Sequence, residues 1–264
     1  MLTVVKNQIK VMILSVKYNI MMQMVNKVTF ITNILFMILN NASFIIQWII
    51  LFNIKNEIGG YNIKQIILLW GLASSVYGYS RVMFGRAFNI SELIINGQLD
   101  TFLVQPKNVF LSVITSDSKI SAIGDLIYGY ICLTIYGINI KNFLIFTFFS
   151  IIGGIIVTAF AGIVGSLSFW IVKGDAIADV LNNASIHFDT YPGTIFDGGI
   201  KILLYTILPV GIANYMPFEI MLRFDFIKFI IVIIFTVCIS IFAFIVFNKG
   251  LKRYSSSNLM SAKI

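Results

Sequence analysis

The chain has only one histidine and two cysteines among 264 residues, and no Gly-Lys dipeptide occurs in it. One histidine excludes the HExxH motif of zinc proteases, and the missing Gly-Lys pair excludes a GxxxxGK[ST] phosphate loop. A GxSxG nucleophile turn is absent as well. Both cysteines, Cys132 and Cys238, lie in apolar runs, as small buried hydrophobic residues do. We therefore expect no catalytic residues, and no ATP bound by this chain itself.

Charged residues are scarce too. They make up 11% of the chain, against 58% hydrophobic residues, and the mean hydropathy is +0.93. Soluble domains carry a charged fraction of about 25%. The apolar runs exceed the ~20 residues that a helix needs to cross a bilayer, and they lack the alternating segments of about 10 residues found in barrels. The composition predicts an all-α membrane protein, with residues 1–264 forming one transmembrane domain.

Basic residues without acidic neighbours flank the apolar part of the chain at both ends: Lys6, Lys10, Lys17 and Lys27, then Lys249, Lys252, Arg253 and Lys263. Positive residues gather on the cytoplasmic side of a membrane. We therefore expect a multi-pass protein of the plasma membrane with both termini in the cytoplasm, the C-terminal tail being residues 249–264. The net charge of +8 does not indicate a nucleic-acid partner, because no soluble segment carries interleaved aromatic residues.

Residues 1–27 predict a helix that lies in the interface. On a helical wheel Lys6, Lys10 and Lys17 project within about 40° of one another and form a basic stripe against apolar residues such as Ile9 and Val16. Such a helix places its lysines near anionic lipid. The alternative is that this stretch is the cytoplasmic start of a long first span.

Six transmembrane helices are predicted, near residues 28–52, 63–83, 120–139, 143–170, 200–222 and 226–247. The first contains four amides, which face other helices or line a pathway: Asn33, Asn40, Asn41 and Gln47. Proline and glycine interrupt the fifth, so we expect it to be bent or re-entrant.

The fourth span carries small residues at every fourth position: Gly154, Thr158, Gly162 and Ser166. This face predicts close approach of another helix backbone, from the same subunit or from a second one. Asp125, in the third span, is either a functional carboxylate or a group close enough to the interface to stay solvated. His187 and Asp189 cannot complete a tetrahedral zinc site, so no metal is expected.

A polar interruption, ISELIINGQLDTFLVQP, covers residues 90–106. Gly97 disfavours one continuous helix, and Pro106 stops any helix that begins after Gly97. Between them Leu99, Phe102 and Leu103 are spaced as the apolar stripe of a helix of one or two turns. We expect residues 90–118 to form a cytoplasmic loop that docks a soluble partner.

Four stretches resemble the ABC-2 type transporter permeases, in particular the bacterial group called ABC2_membrane_6. They are INGQLDTFLVQP (95–106), TYPGTIF (190–196), LPVGIANYMPFEIML (208–222) and KGLKRYSS (249–256). The first is similar to the Gly-x-Leu-Asp-x-x-Leu-x-x-Pro pattern of that group.

The resemblance implies an exporter permease that pairs with a second permease and binds ABC ATPase subunits, which hold ATP and Mg²⁺. It implies an ATPase-coupling role for Gly97, Leu99, Asp100, Phe102, Leu103 and Pro106, and a re-entrant outer segment shaped by Tyr191, Pro192, Pro209 and Pro217. Two other functions stay open: an ion-coupled secondary transporter that uses Asp125 and the bent Pro209 helix, and a membrane scaffold or immunity protein.

Overall fold

A computed structural model describes residues 2–255, and helices make up 81% of this part of the chain, which contains no strand. The α-helices are α1 (Leu2–Gln23), α2 (Lys27–Ile54), α3 (Ile63–Phe84), α4 (Ile90–Ile95), α5 (Asp100–Leu103), α6 (Val109–Ile114), α7 (Ser121–Gly137), α8 (Ile140–Ser166), α9 (Gly174–Asp189), α10 (Gly198–Thr206), α11 (Met216–Leu222) and α12 (Phe226–Leu251). Short 3₁₀ turns cover Gly85–Asn89, Leu167–Phe169 and Gly193–Ile195, and a π-helical turn covers Gly211–Tyr215.

Polar side chains start several of the long helices. Asn62 accepts a hydrogen bond from the backbone N–H of Gln65, and the Gln65 side chain accepts one from the Asn62 N–H, which makes a capping box at α3. Asn139 caps α8 and Asp225 caps α12 in the same way, through side-chain oxygens that accept from backbone N–H groups. These caps fix where the apolar helices begin.

The long helices pack in a row in the order α2, α7, α3, α8 and α12, and α9 lies against α8. The tightest contact joins α3 and α7 through small residues. A Cβ atom on Gly129 would clash with the Ser75 hydroxyl and lie 2.5 Å from the carbonyl oxygen of Gly71. Gly78 also meets α7, where a Cβ atom would lie 2.8 Å from the Leu126 side chain. The two backbones therefore touch, and α3 becomes the buried centre of the bundle.

The bundle has two ends, named here after a glycine in each. The Gly59 end holds the turn between α2 and α3, where the Thr194 hydroxyl donates to the Gly59 carbonyl oxygen over 2.7 Å. The Gly97 end holds α4, α5 and α6. Helix α9 runs from one to the other, because it starts beside α4 and ends where Tyr191 packs on Trp48 at 6.1 Å.

Helices α10 and α11 form a bent pair with an angle of 79° at the break. The pair begins just after Thr194 and ends with Phe218 packed on Tyr61, so both of its ends lie at the Gly59 end. Its break reaches inward to α8, where Gly153 approaches the carbonyl oxygen of Ala213. The interrupted fifth span was expected to be bent or re-entrant, and the bent pair returns to its starting end as a re-entrant segment does. The expected count of six crossings had included this segment.

Within residues 2–255, three helices are long and apolar enough to cross a membrane: α2, α8 with its following turn, and α12; counting the bent pair as one span makes up to four. The helices at the other expected spans are shorter or less apolar than these three, for physical reasons. Helix α7 has 17 residues, about 26 Å at 1.5 Å per residue. Helix α3 is lined with glycine and serine because it is buried among other helices. The protein is thus an all-α integral membrane protein.

Helix α1 is separated from α2 by a break at residues 24–26, so it is not the start of one long first span. Its polar side chains form hydrogen bonds with the backbone at the Gly97 end. Asn19 and Gln23 donate to the carbonyl oxygens of Thr115 and Ser118, and the Gln8 side-chain oxygen accepts from the Asn108 N–H. The three lysines predicted on its basic stripe are all exposed: Lys6, Lys10 and Lys17.

Candidate functional site

The 90–118 segment is folded rather than loose, and Gly97 ends its first helix. The N–H of Gln98 donates to the Leu93 carbonyl oxygen at 2.9 Å, and the N–H of Gly97 donates to Ile94 at 3.3 Å. This pair of bonds is a Schellman motif, which needs a left-handed residue just past the helix end. Gly97 supplies it with φ of +67°. The glycine therefore reverses the chain between α4 and α5.

Leu99 anchors the chain just after this reversal. Its side chain is 0% exposed and packs in a cluster that joins the 3₁₀ turn Gly85–Asn89, α4, α6, α8 and α12. Phe102 is half-buried against the same cluster. Helix α5 itself has four residues, one turn, which is the lower limit of the expected helix.

The predicted apolar stripe is split between two directions. Leu99 and Phe102 face the bundle, whereas Leu103 is 43% exposed and the next residue, Val104, is 84% exposed. Pro106 is exposed in the turn after α5. The sequence pattern missed Val104, whose exposure depends on where α5 ends. The segment thus presents an apolar tip on a short helix whose other side is fixed in the core.

Asp100 begins α5 and lies beside Tyr254, which comes after α12. Partial burial, and then the neighbouring Asp100 carboxylate, raises the pKa of the Tyr254 hydroxyl to about 12. The Tyr254 ring also packs edge-on to Phe169 at 6.3 Å. The beginning of the basic tail therefore touches the 90–118 segment. Residues 256–264 of the predicted tail, with Lys263, lie outside the described part of the chain.

The small residues of α8 are all buried and make their contacts within this one chain. Gly154 lies against α3, where a Cβ atom would come 3.1 Å from the Val76 carbonyl oxygen. Thr158 shares a hydrogen bond of 2.8 Å with Ser80 on α3. Gly162 meets the ring of Phe110 on α6, and the Ser166 hydroxyl donates to the Gly162 carbonyl oxygen. The stripe therefore brings α3 and α6 close to α8.

The expected outer residues occupy helix breaks at and below the Gly59 end. Tyr191 is half-exposed beside Trp48, and Pro192 precedes the 3₁₀ turn Gly193–Ile195. Pro209 is buried between α10 and the π-helical turn, while Pro217 sits in the first turn of α11. Because α11 continues directly from the π-helical turn, where the Met216 N–H donates to the Gly211 carbonyl oxygen, Pro217 removes the next backbone donor at this junction. The prolines thus shape the bent pair at its breaks.

A cavity of about 240 Å³ lies between α2, α3, α7 and α9. Its polar lining includes Asn40, Asn41, Ser74, Arg81, Asp125, His187 and Asp189, beside the aromatic rings of Phe44, Trp70 and Tyr77. Asp125 is 7% exposed, and its carboxylate accepts a hydrogen bond of 2.6 Å from Asn41. The expectation that Asp125 stays solvated near the interface is therefore wrong, since α2 supplies a partner inside the bundle.

The outer face of α9 carries both polar and apolar side chains. Asp179, Asn183 and His187 recur every four residues and are exposed on the surface of the single chain, and Ala176 and Val180, which is 67% exposed, lie beside them. The Gly97 end of this helix also carries the exposed Asp175. This polarity explains why the hydropathy pattern passed over α9 as a crossing, although the helix connects the two ends of the bundle.

A comparison with protein-family models identifies the family. The model described as ABC-2 family transporter protein matches residues 37–258. The chain belongs to the ABC-2 transporter family. The resemblance predicted from four short stretches is thereby confirmed. No curated protein and no solved structure matches the chain.

The match makes the protein a membrane permease of the ABC-2 type. It covers the whole 90–118 segment, the cavity residues and the bent pair, and it leaves α1 outside. Among residues 2–255 of this ABC-2 permease, no group of three or more histidine, cysteine, aspartate or glutamate side chains is placed to hold a metal ion.

Sequence reasoning missed two features of the ABC-2 permease that depend on contacts between distant residues. Asn41 and Asp125 are 84 positions apart, and neither residue indicates its partner on its own. Asp189 was judged only as a zinc ligand, yet it is 3% exposed, and its carboxylate oxygens have no hydrogen-bond partner. A signal existed for Asp189, because it is an ionisable residue in a stretch flanked by spans.

Proposed function

We propose that this ABC-2 permease is the membrane-spanning subunit of an exporter that separate ATPase subunits drive from the cytoplasm. The observation that carries the proposal is the construction of the 90–118 segment. Its tip exposes Leu103 and Val104, while Leu99 on the same short element is fully buried. An exposed apolar tip is suited to docking a partner, and a rigid anchor is suited to passing the partner's movement on.

Charge placement supports a cytoplasmic Gly97 end. This end holds Lys6, Lys10, Lys17, Lys27, Arg81, Arg86, Lys107, Lys119, Lys173, Lys249, Lys252 and Arg253. The Gly59 end holds the smaller set Lys55, Lys64, Lys141, Lys201, Arg223 and Lys228. The positive-inside rule then puts α1, the 90–118 segment and both termini in the cytoplasm. In this orientation α1 rests in the headgroup layer of the plasma membrane, with its lysines beside anionic lipid.

Six crossings result from the same orientation if α9 replaces the bent pair as the fifth. The crossings are α2, α3, α7, α8, α9 and α12, while α10 and α11 dip in from outside and return. Helix α9 has 16 residues, about 24 Å at 1.5 Å per residue, so it requires a thinned or locally hydrated bilayer. The contacts of its two ends with α4 and with the neighbourhood of Gly59 support this assignment.

A second permease copy would account for the polar residues on the exposed face of α9. Asp179, Asn183 and His187 would be costly to expose to lipid, and such residues normally face a bundle interior or a water-filled cavity. A second copy that covers this face, or an aqueous path formed between the two copies, removes that cost. The face of α9 is therefore the proposed wall of the transport pathway.

Packed side chains connect the tip at Leu103 and Val104, through Leu99, to the long helices of the bundle. The Leu99 cluster includes Ile90 of α4, Phe110 of α6 and Phe247 of α12. Gly165 of α8 also approaches Ile90 so closely that a Cβ atom would lie 2.9 Å from it. Densely packed contacts transmit displacement rather than absorb it. ATP binding, with Mg²⁺, on the partner ATPases would move α5 and shift α8 and α12.

Photo-crosslinking tests the docking site. A photoreactive amino acid at Val104, which is 84% exposed, should crosslink the permease to an ATPase subunit in intact membranes. The control position is Ile54, 77% exposed but at the Gly59 end, where no cytoplasmic protein should be captured. Capture of the ATPase from Ile54 but not from Val104 would invert the proposed orientation. Capture from neither position would contradict docking through the 90–118 segment.

A further inference from the structure

The cavity between α2, α3, α7 and α9 contains a carboxylate with no counter-charge. Asp189 is 3% exposed and lines the cavity together with Asp125. In the described part of the chain the ion pairs are Lys119 with Asp117 and Lys228 with Glu219, so neither Asp189 nor Asp125 has one. A charge taken out of water is costly unless it is paired.

The neighbours of Asp189 do not neutralise it. Tyr77 and Asn214 lie beside its carboxyl group, and both are neutral. The Tyr77 hydroxyl, both side-chain polar atoms of Asn214 and both Asp189 oxygens are buried without a hydrogen-bond partner. Tyr77 and Asp189, which both line the cavity, therefore have hydrogen-bonding capacity that the rest of the chain does not use. Even if Tyr77 and Asn214 rotate to donate to Asp189, they supply no positive charge, and a bound cation would hold the carboxyl group in its charged form.

The one arginine in the lining, Arg81, forms no ion pair with Asp125 or Asp189. The Arg81 guanidinium stands over the rings of Tyr77 at 5.9 Å and Phe88 at 5.0 Å. His187 also lines the cavity, and it is exposed on the outer face of α9. With two carboxylates and one guanidinium, the lining has a formal charge that favours a cation.

The shape and the remaining lining decide what kind of cation fits. The volume of about 240 Å³ is much larger than a desolvated metal ion needs. No metal-binding group of three acidic, histidine or cysteine side chains occurs in residues 2–255. Phe44, Trp70 and Tyr77 contribute aromatic rings to the same wall. Aromatic faces combined with carboxylates recognise organic cations, because the ring faces are negative and the ammonium group pairs with the carboxylate.

We propose that this cavity binds a small organic cation, a protonated amine on an apolar body, with its ammonium group at Asp189 and its body against Trp70 and Phe44. Asp125, whose carboxylate is held by Asn41 at 2.6 Å, is the second acidic group facing the cation. That the cation is the transported compound rests on the proposed transport function. That the cavity binds it does not, so a binding experiment can fail while the transport proposal stands.

The test is equilibrium binding of 2-phenylethylamine to the full-length permease in lipid nanodiscs, measured by quenching of tryptophan fluorescence. Trp70 lines the cavity and reports on it. The amine should quench saturably, and Trp70→Phe should remove this signal. The neutral isostere 2-phenylethanol should bind at least tenfold more weakly. Equal binding of the amine and the alcohol, or no saturable binding of the amine, overturns the proposal.

Variants locate the site. Asp189→Asn removes the charge with little change of shape and should weaken binding of the amine about 10- to 100-fold, as expected for a buried charge-assisted hydrogen bond. Asp197→Asn is the matched control, because this aspartate is exposed at the Gly59 end. An amine affinity that falls equally in both variants, or in neither, contradicts the assignment.

A second pair of variants does not depend on removing a buried group. Asn40 is exposed on α2 and lines the cavity, so Asn40→Lys places a tethered ammonium group at its edge. It should abolish binding of the amine by competition. Asn33→Lys makes the same change two turns earlier on the same face of α2, outside the cavity lining, and should leave the affinity unchanged. Unchanged amine binding in Asn40→Lys overturns the proposal.

Discussion

Leu99→Ala should release the tip of the 90–118 segment while the bundle stays folded. Leu99 is fully buried, and truncating a buried leucine to alanine costs about 2–5 kcal/mol. Helix α5 has only four residues and cannot hold itself in place. The substitution should therefore lower the free energy of local opening of this segment by about 3 kcal/mol, which corresponds to roughly 100-fold faster amide exchange.

Hydrogen–deuterium exchange followed by mass spectrometry measures this effect directly. Peptides from residues 95–108 should exchange faster in Leu99→Ala, whereas peptides from α8 should not change. Leu103→Ala is the control, because Leu103 lies on the same short helix but is 43% exposed. Exposed truncations of this kind cost about 0.5 kcal/mol or less. Unchanged exchange at 95–108 in Leu99→Ala would refute the anchoring role of Leu99.

Two further predictions concern the packing of the bundle. Gly129→Ala should lower the thermal unfolding midpoint of the purified protein, because overpacking against Ser75 and the Gly71 carbonyl costs about 1–3 kcal/mol or more and outweighs the ~1 kcal/mol gained in helix propensity. The control is Gly199→Ala in α10, where the added methyl group meets nothing within 4 Å and should keep or raise the midpoint. The opposite order of the two midpoints would contradict the contact between α3 and α7. Asn41→Ala should destabilise the protein by about 1–2 kcal/mol, because it leaves the Asp125 carboxylate without its hydrogen-bond donor. Asn33→Ala, a change of an exposed asparagine on the same helix, should cost less than about 0.5 kcal/mol. Equal effects in the same unfolding assay would exclude the buried hydrogen bond between Asn41 and Asp125.

Hydropathy predicted the elements that depend on local sequence. The first four expected spans and the last one begin and end within four residues of α2, α3, α7, α8 and α12, since long apolar runs can satisfy their backbone only as helices. Pro209, Gly211 and Pro217 correctly indicated an interrupted segment, and the structure bends there by 79°. Gly97 correctly indicated a helix break, which the structure explains by its positive φ.

The features that sequence reasoning missed all depend on what a residue faces. Helix α9 mixes polar and apolar residues, so its low mean hydropathy did not predict that it connects the two ends of the bundle. The burial of Asp125 depends on Asn41, from a helix 84 residues earlier. The stripe of Leu99, Phe102 and Leu103 has the right spacing, but only the structure separates the buried anchor from the exposed tip. Spacing therefore locates an apolar face without identifying what covers it.

Helix α5 is proposed to couple this permease to a separate ATPase, and ATP hydrolysis by the reconstituted complex measures that coupling. The wild-type permease should raise hydrolysis above that of the ATPase alone. Asp100→Lys, which reverses the charge at the start of α5, should abolish that increase while the permease still inserts. Glu57→Lys, the same reversal at the exposed Gly59 end, should retain it. Full stimulation by Asp100→Lys would exclude α5 as the coupling element, and transport driven by an ion gradient without ATP would exclude a permease driven by an ATPase.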